Sequence, residues 1–265
     1  MATLTATILG CGSSGGVPRL GGLWGNCDPS NPKNRRQRCS ILLDLQEGDA
    51  HTRVLVDSSP DMRAQLLAAG VGHLDAVVYT HAHADHLHGI DDLRMIVFNR
   101  RSRLPVWADR ATSAIMTHNF SYAFIQPEGS SYPPILDLHD IEGPFEITGA
   151  AGSIPFTPIP VHHGRIDALG FRVHSLAYMP DVSDLPDSSW DLLRDLDTWI
   201  LDALRREPHP THIHLDKALE WIDRAQPRRA VLTNLHNDLD YEVLSAETPD
   251  HILAAYDGLE IGIAR

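Results

Sequence analysis

Cysteine is scarce in this 265-residue chain: Cys11, Cys27 and Cys39 are its only three. The number is odd and too small for a disulfide scaffold, which excludes the stapled extracellular mini-folds and agrees with a reducing compartment. Positive charge is also in short supply. Lysine and arginine total 22 against 35 acidic residues, a formal net charge of −13. A large phosphate footprint needs clustered cations, so a nucleic-acid partner is not expected. No apolar run approaches the roughly 20 residues of a membrane span, and the N-terminal stretch Met1–Gly10 lacks the basic start and apolar core of a signal peptide. The expectation is a soluble cytoplasmic protein with no membrane partner. The glycine-rich stretch Gly10–Pro18 is followed by neither a helix nor Gly-Lys-Ser/Thr, so it is not a nucleotide P-loop. Hydrophobic residues make up 43% of the chain, enough for a buried core. Residues 1–265 are expected to form a single domain.

What the sequence does have is histidine, 16 in all, and three of these fall in the stretch His81-Ala82-His83-Ala84-Asp85-His86. An apolar, strand-like run, Leu74–Thr80, leads into it. Alternation along an extended chain points His81 and His83 the same way. Asp85 and His86 fall where the chain must turn, so they can face a different centre. Imidazole nitrogens and carboxylate oxygens are the donors that zinc and similar divalent ions select. The strict spacing, the alanine spacers and the strand end favour a metal site over chance clustering.

The pattern His-x-His-x-Asp-His resembles the signature of the metallo-β-lactamase fold hydrolases. Asp85-His86-x-His88-Gly89-Ile90-Asp91-Asp92-Leu93-Arg94 is similar to the phosphodiesterase branch of that fold, which includes phosphoribosyl cyclic phosphodiesterases and, more distantly, tRNA 3′-processing endonucleases. The resemblance implies an α+β fold, a four-layer αββα sandwich, with two divalent metal ions (zinc or manganese, with iron also compatible). One ion would take His81, His83 and His163, the other Asp85, His86 and His236, with Asp181 bridging. His163 ends a strand before Gly164, and Gly170-Phe171 follows; its neighbour His162 is the alternative. Asp181 ends the run Leu176–Met179. His236 departs from the commoner pattern, in which His directly follows Leu-Thr. That position is Asn234, and a shift of two residues keeps the same strand face. Asp57 would support the ligands from outside, as a metal-bound imidazole commonly needs.

Around these positions, residues 3–9, 41–45 and 53–56 suggest strands, the last two a hairpin. Ser59, Pro60 and Gly70 mark a helix's cap, first turn and end. A helix is expected from His88 to about Asn99, a strand at 104–107 and another helix over 109–119. The stretch 120–145 is an insertion over the site or a dimer contact. Trp199–Leu204 is taken as a buried strand on the family comparison, Asp216–Ala225 as an amphipathic helix, and Ile252–Tyr256 with Leu259–Ile263 as a final hairpin around Asp257-Gly258. Arg35, Arg36 and Arg38 form the one dense basic run, either a solvated loop or a phosphate-facing lip. Arg94 faces substrate or pairs with Asp91 or Asp92. The resemblance to the phosphodiesterase branch implies His212 near the leaving oxygen, as acid or phosphate contact, and His214 is expected at a helix start. Cys27 alone precedes the arginines, so no third, structural metal is expected.

The implied activity is hydrolysis of a small phosphoester, a class that includes cyclic ribose and nucleotide phosphates, with Asp85 and His212 in catalytic roles. A tRNA 3′-processing endonuclease, a thioester or lactam hydrolase and a non-catalytic binder of small anions are the alternatives. A homodimer would agree with relatives in this branch.

Overall fold

Strand-forming sequence recurs along both halves of the chain, and the computed structural model, which describes residues 2–264, gathers it into two sheets of seven strands each. The first sheet takes β1 (Thr3–Gly10), β2 (Ser40–Glu47), β3 (Ala50–Val56), β4 (Ala76–Val78), β5 (Leu104–Ala108) and β6 (Leu136–Asp140) in sequence order. The second takes β7 (Phe145–Gly149), β8 (Gly152–His163), β9 (Ile166–Val173), β10 (Leu176–Met179), β11 (Thr198–Asp202), β12 (Arg229–Thr233) and β13 (Ile252–Ala254). The last strand, β14 (Glu260–Ile263), returns to the first sheet and pairs antiparallel with β1.

Period-two burial in β1, with Leu4, Ala6 and Ile8 inward, drives the two sheets together. Ala6, Ile8, Leu43, Val54 and Val56 of the first sheet meet Phe156, Phe171, Tyr178, Ile200 and Val231 of the second in one buried cluster. Helices α1 (Met62–Ala68), α2 (Ala84–Leu87), α3 (Leu93–Arg100), α4 (Arg110–Asn119) and α5 (Ser121–Phe124) flank the first sheet. Their apolar residues form a cluster with its outer face. On the second sheet α6 (Asp187–Asp191), α7 (Leu215–Ala225) and α8 (Tyr241–Glu247) do the same. The order helix, sheet, sheet, helix is the four-layer α+β sandwich expected. No helix among the described residues is long and apolar enough to cross a membrane.

Four boundaries differ from the sequence-based expectation. Residues 252–263 are not a hairpin: β13 pairs parallel with β12, and the chain then crosses to the other sheet. Asp257 makes the crossing by accepting hydrogen bonds from the backbone N–H groups of Cys11 (3.2 Å) and Gln37 (2.7 Å). Helix α1 starts at Met62, after a turn in which Ser59 Oγ accepts from the N–H of Asp61 and the Ser59 carbonyl from that of Met62. The helix expected from His88 breaks into a 3₁₀ turn, Ile90–Asp92, followed by α3. Within 120–145, residues 136–140 are a strand of the sheet, so that part is no insertion.

Two polar anchors fix the loops that frame the strand ends. Arg36 is 2% exposed and donates to the carbonyls of Leu239 (2.8 Å) and His236 (3.3 Å) and to Asn34 Oδ1 (3.3 Å). Asp240 caps α8 through the N–H groups of Glu242 and Val243, and accepts from Asp28 N (2.9 Å) and Asn34 Nδ2 (2.6 Å). Burial opposes ionisation of Asp240, but these donors outweigh it and hold its pKa below the usual carboxylate value. Its stabilisation is therefore present above the unfolded value of about 3.9 and fades as pH falls through the lower folded value. Asp240→Ala should cost about 1–3 kcal/mol at pH 7. Urea midpoints at pH 7 and pH 3 should show the gap to wild type narrowing in acid.

Candidate metal centre

The strands that run parallel end together at one rim of the sandwich, and the chemistry collects there. Asp57 follows β3, and His81, His83, Asp85 and His86 follow β4. His163 ends β8, while Asp181, Asp202 and Asn234 end or follow β10, β11 and β12. Strand ends expose free backbone and turn sharply, so side chains from both sheets can converge.

Two donor groups form. In the first, single atoms of His81, His83, His163 and Asp181 lie within 4.8 Å of one another; in the second, atoms of Asp85, His86 and Asp181 do the same. Asp181 divides its carboxylate between them. Its Oδ2 is 3.7 Å from His81 Nε2 and 3.4 Å from His163 Nε2, whereas Oδ1 is 3.1 Å from His86 Nε2. His86 Nε2 is also 3.5 Å from Asp85 Oδ2.

The outward nitrogens determine what the inward ones offer. His86 Nδ1–H donates to Asp57 Oδ2 at 2.7 Å, and His163 Nδ1–H to the carbonyl of Thr211 at 2.6 Å. The Thr80 hydroxyl donates to Asp57 Oδ2 (2.8 Å), so it accepts from His81 Nδ1–H at 3.0 Å. Each of these rings therefore turns a lone pair inward. The Nε2 atoms of His81 and His86 are buried without a hydrogen-bond partner. Lone pairs and carboxylate oxygens converging with too few protons among them fit divalent cations.

Titration separates the two buried rings. Burial, then the neighbouring His86, His83 and His163, hold His81 well below its usual pKa, so its ring is neutral. For His86 burial pulls the same way, but Asp181, Asp57 and Asp85 outweigh it and raise its pKa well above the usual value. A proton would occupy that ring in the absence of a cation. Burial should raise Asp181; His86, His212 and His81 overcome it and keep the carboxylate ionised.

His236, expected as a ligand, does not join the donors. Its Nε2 accepts from Arg19 Nη2 at 2.5 Å, and its Nδ1–H donates to Asp238 at 2.9 Å. Asn234 reaches the centre instead, 2% exposed, donating to Asp202 Oδ1 (3.1 Å) and Asp181 Oδ1 (3.4 Å). His212 stands beside the donors, Nε2 3.9 Å from Asp181 Oδ2, with Nδ1 held by Asp202 at 2.8 Å. The alternative ligand His162 is exposed and bonded to Asp167, and His214 is the residue before α7, as expected.

A cleft of about 120 Å³ opens onto this centre, lined by Ser13, Ser14, Arg19, Asp85, Leu204, Arg205, His209, His212, Asn234 and His236. Arg19, Arg205 and His209 were not anticipated; they lie in loops with no motif, and only folding brings them together. Arg205 donates to the carbonyls of Glu207 and Pro208. Among the described residues, neither Arg19 nor Arg205 is paired with a carboxylate. Burial, then His212, Arg205 and His236, lowers the pKa of His209. The basic run lies next door. Arg35, Arg36 and Arg38 line a groove of about 670 Å³ that shares Ser14 and Arg19 with the cleft. Within it Arg36 is buried as described, Arg38 is clamped on Asp61 at 2.7 Å, and Arg35 lies over Trp24. Arg94 is elsewhere, in a pocket with Phe98 and Tyr132.

Paired sheets with two adjoining His/Asp donor groups at their rim define a hydrolase of the metallo-β-lactamase type. A profile of the beta-lactamase superfamily domain matches residues 52–234. A crystal structure of a diphosphatase from the PhnP family is 36% identical, with a TM-score of 0.86, over 99% of this chain and 98% of that one. Zn²⁺-bound PqqB from Methylobacterium extorquens has the same fold, with a TM-score of 0.74 at 19% identity over 97% of this chain and 99% of that one. An octanoyltransferase from Porphyromonas gingivalis is 34% identical over 96% of this chain, which spans 50% of that protein's length. The chain belongs to the beta-lactamase superfamily and, within it, to the PhnP family.

Asp57→Asn keeps the shape and suits the left-handed backbone at this position (φ 65°), but removes the carboxylate that both His86 and, through Thr80, His81 depend on. Metal retention during dialysis against a chelator should fall about 10- to 100-fold, since outer partners of metal-bound imidazoles carry effects of that size.

Proposed function

We propose that this protein is a metal-dependent hydrolase of a small phosphoester or phosphoanhydride. The observation that carries this is the cleft: guanidinium groups of Arg19 and Arg205, free of carboxylate partners, face the same space as Asp85 and His212. Guanidinium forks suit phosphate oxygens. Such groups, gathered in a chain of net charge −13, fit a small anion better than a polyanion. The similar PhnP-family protein is a diphosphatase, which agrees with phosphorus chemistry.

His81, His83, His163 and Asp181 would hold one divalent ion, and Asp85, His86 and Asp181 a second. Bound ions of this kind lower the pKa of water toward neutrality and polarise a phosphoryl oxygen. Manganese, zinc and iron all suit the donors. Arg19 and Arg205 bind and orient the substrate's anionic oxygens. Burial opposes protonation of His212, but Asp202 and Asp181 outweigh it and raise its pKa to about 9. The ring, fixed by Asp202, is placed to give a proton to a leaving oxygen. The mostly polar cleft, with Leu204 its sole leucine, gives little purchase to an acyl chain. This favours phosphorus over the acyl chemistry that the octanoyltransferase name would suggest.

Metal-loaded protein should hydrolyse a generic aryl phosphodiester, and Asp85→Ala should abolish turnover. Turnover unchanged in Asp85→Ala would refute the site assignment. Arg19→Ala should raise KM for a phosphorylated substrate about 10-fold or more, the scale of one charge-assisted hydrogen bond. A steady-state comparison of the two proteins checks it. His212→Gln should lower kcat about 10²- to 10⁴-fold, with metal content measured by emission spectrometry unchanged.

A further inference from the structure

The two donor groups are unequal, and the reason is visible at the end of β12. The first group has four protein donors, His81, His83, His163 and Asp181; the second has three, Asp85, His86 and the opposite oxygen of Asp181. The chain passes the second group at Asn234, which puts a carboxamide where it borders both Asp181 and Asp202. Its Nδ2 donates to these carboxylates, so it offers them protons and adds no imidazole. The nearest later imidazole, His236, is engaged on both nitrogens, by Arg19 and by Asp238. His212 has its Nδ1 committed to Asp202, and its Nε2 is closest to the Asp181 oxygen that faces the first group.

We infer that the protein binds its two ions with well-separated affinities: one held tightly by His81, His83, His163 and Asp181, the other exchangeable, at Asp85, His86 and Asp181. Asn234 sets this difference. Its backbone is left-handed, φ 60°, a conformation in which Asn and His are both enriched among non-glycine residues. An imidazole at position 234 is thus compatible with the chain and would supply the missing donor. The oxygen-rich second group also favours a harder ion, manganese over zinc, relative to the histidine-rich first group. The inference rests on the metal-centre assignment but not on the identity of the substrate.

Calorimetric titration of metal-free protein with Mn²⁺ and with Zn²⁺, paired with emission spectrometry after dialysis, tests this without any activity measurement. Wild type should bind in two steps whose Kd values differ about 10²-fold or more, since even the loss of an outer partner costs 10- to 100-fold. It should retain one equivalent after dialysis. Asn234→His should tighten the second step at least about 10-fold and leave the first in place, retaining two equivalents. Asp85→Ala should erase only the second step, and His83→Ala should weaken the first. Two equivalent steps in wild type, or a titration unaltered by Asn234→His in protein with wild-type circular dichroism, would overturn the inequality. Failure of wild type to bind either ion would overturn the metal-centre assignment itself, a distinct result.

Discussion

Asp57 is a carboxylate with no access to water, and three donors surround it: the backbone N–H of Thr80, the Thr80 hydroxyl and His86 Nδ1–H. Burying such a group is expensive unless every lone pair is used. Here the expense is offset by what it organises. The left-handed turn at Asp57 brings the carboxylate under the His-x-His-x-Asp-His loop. One oxygen then assigns the proton of His86 directly, and that of His81 through Thr80. One buried acid thus fixes the ring orientation of a donor in each group, and the inward lone pairs follow from it.

The second sheet repeats the device. Asp202 at the end of β11 is fully buried, bonded to His212 Nδ1 and to the backbone of Val182. Burial raises its pKa, to about 6, despite His212 beside it. Each sheet thus presents a buried aspartate at a strand end holding an imidazole upright, and Asp181 lies between the two systems. Asn234 mirrors Asp57 in a further respect, since both leave their strands in the left-handed region. Non-glycine residues there carry local strain of about 1 kcal/mol or more, tolerated where side-chain position matters.

How far the sequence could be read follows from the range of the forces involved. The histidine loop was legible because its donors are neighbours in the chain and their spacing carries the pattern. Asp57, His163 and Asp181 were recoverable through strand ends and family resemblance. His236 is drawn away from the donors by a residue 217 positions away, the Arg19 guanidinium, which no local pattern announces. The same applies to the basic run: Arg36 is spent on loop carbonyls and Arg38 on Asp61, while the guanidinium groups without carboxylate partners arrive on other loops. The final hairpin was misjudged because Asp257-Gly258 is good turn chemistry for either outcome. Which sheet the chain rejoins is decided by Cys11 and Gln37, far away in sequence.

The division of donors between layers has a mechanical side. His81 and His83 extend from the first sheet, His163 and Asp181 from the second, and the apolar cluster between the sheets ends before this rim. An ion gripped by all four is a rivet through both leaves of the sandwich. Any ligand that binds only the folded state deepens the native well by mass action, about 4 kcal/mol at a thousandfold excess over Kd. Loading would therefore govern resistance to heat and proteases as well as chemistry. A cell that withholds the ion would hold a protein whose leaves, at that end, are joined only by direct polar bonds such as that from Leu169 N–H to the carbonyl of Thr80.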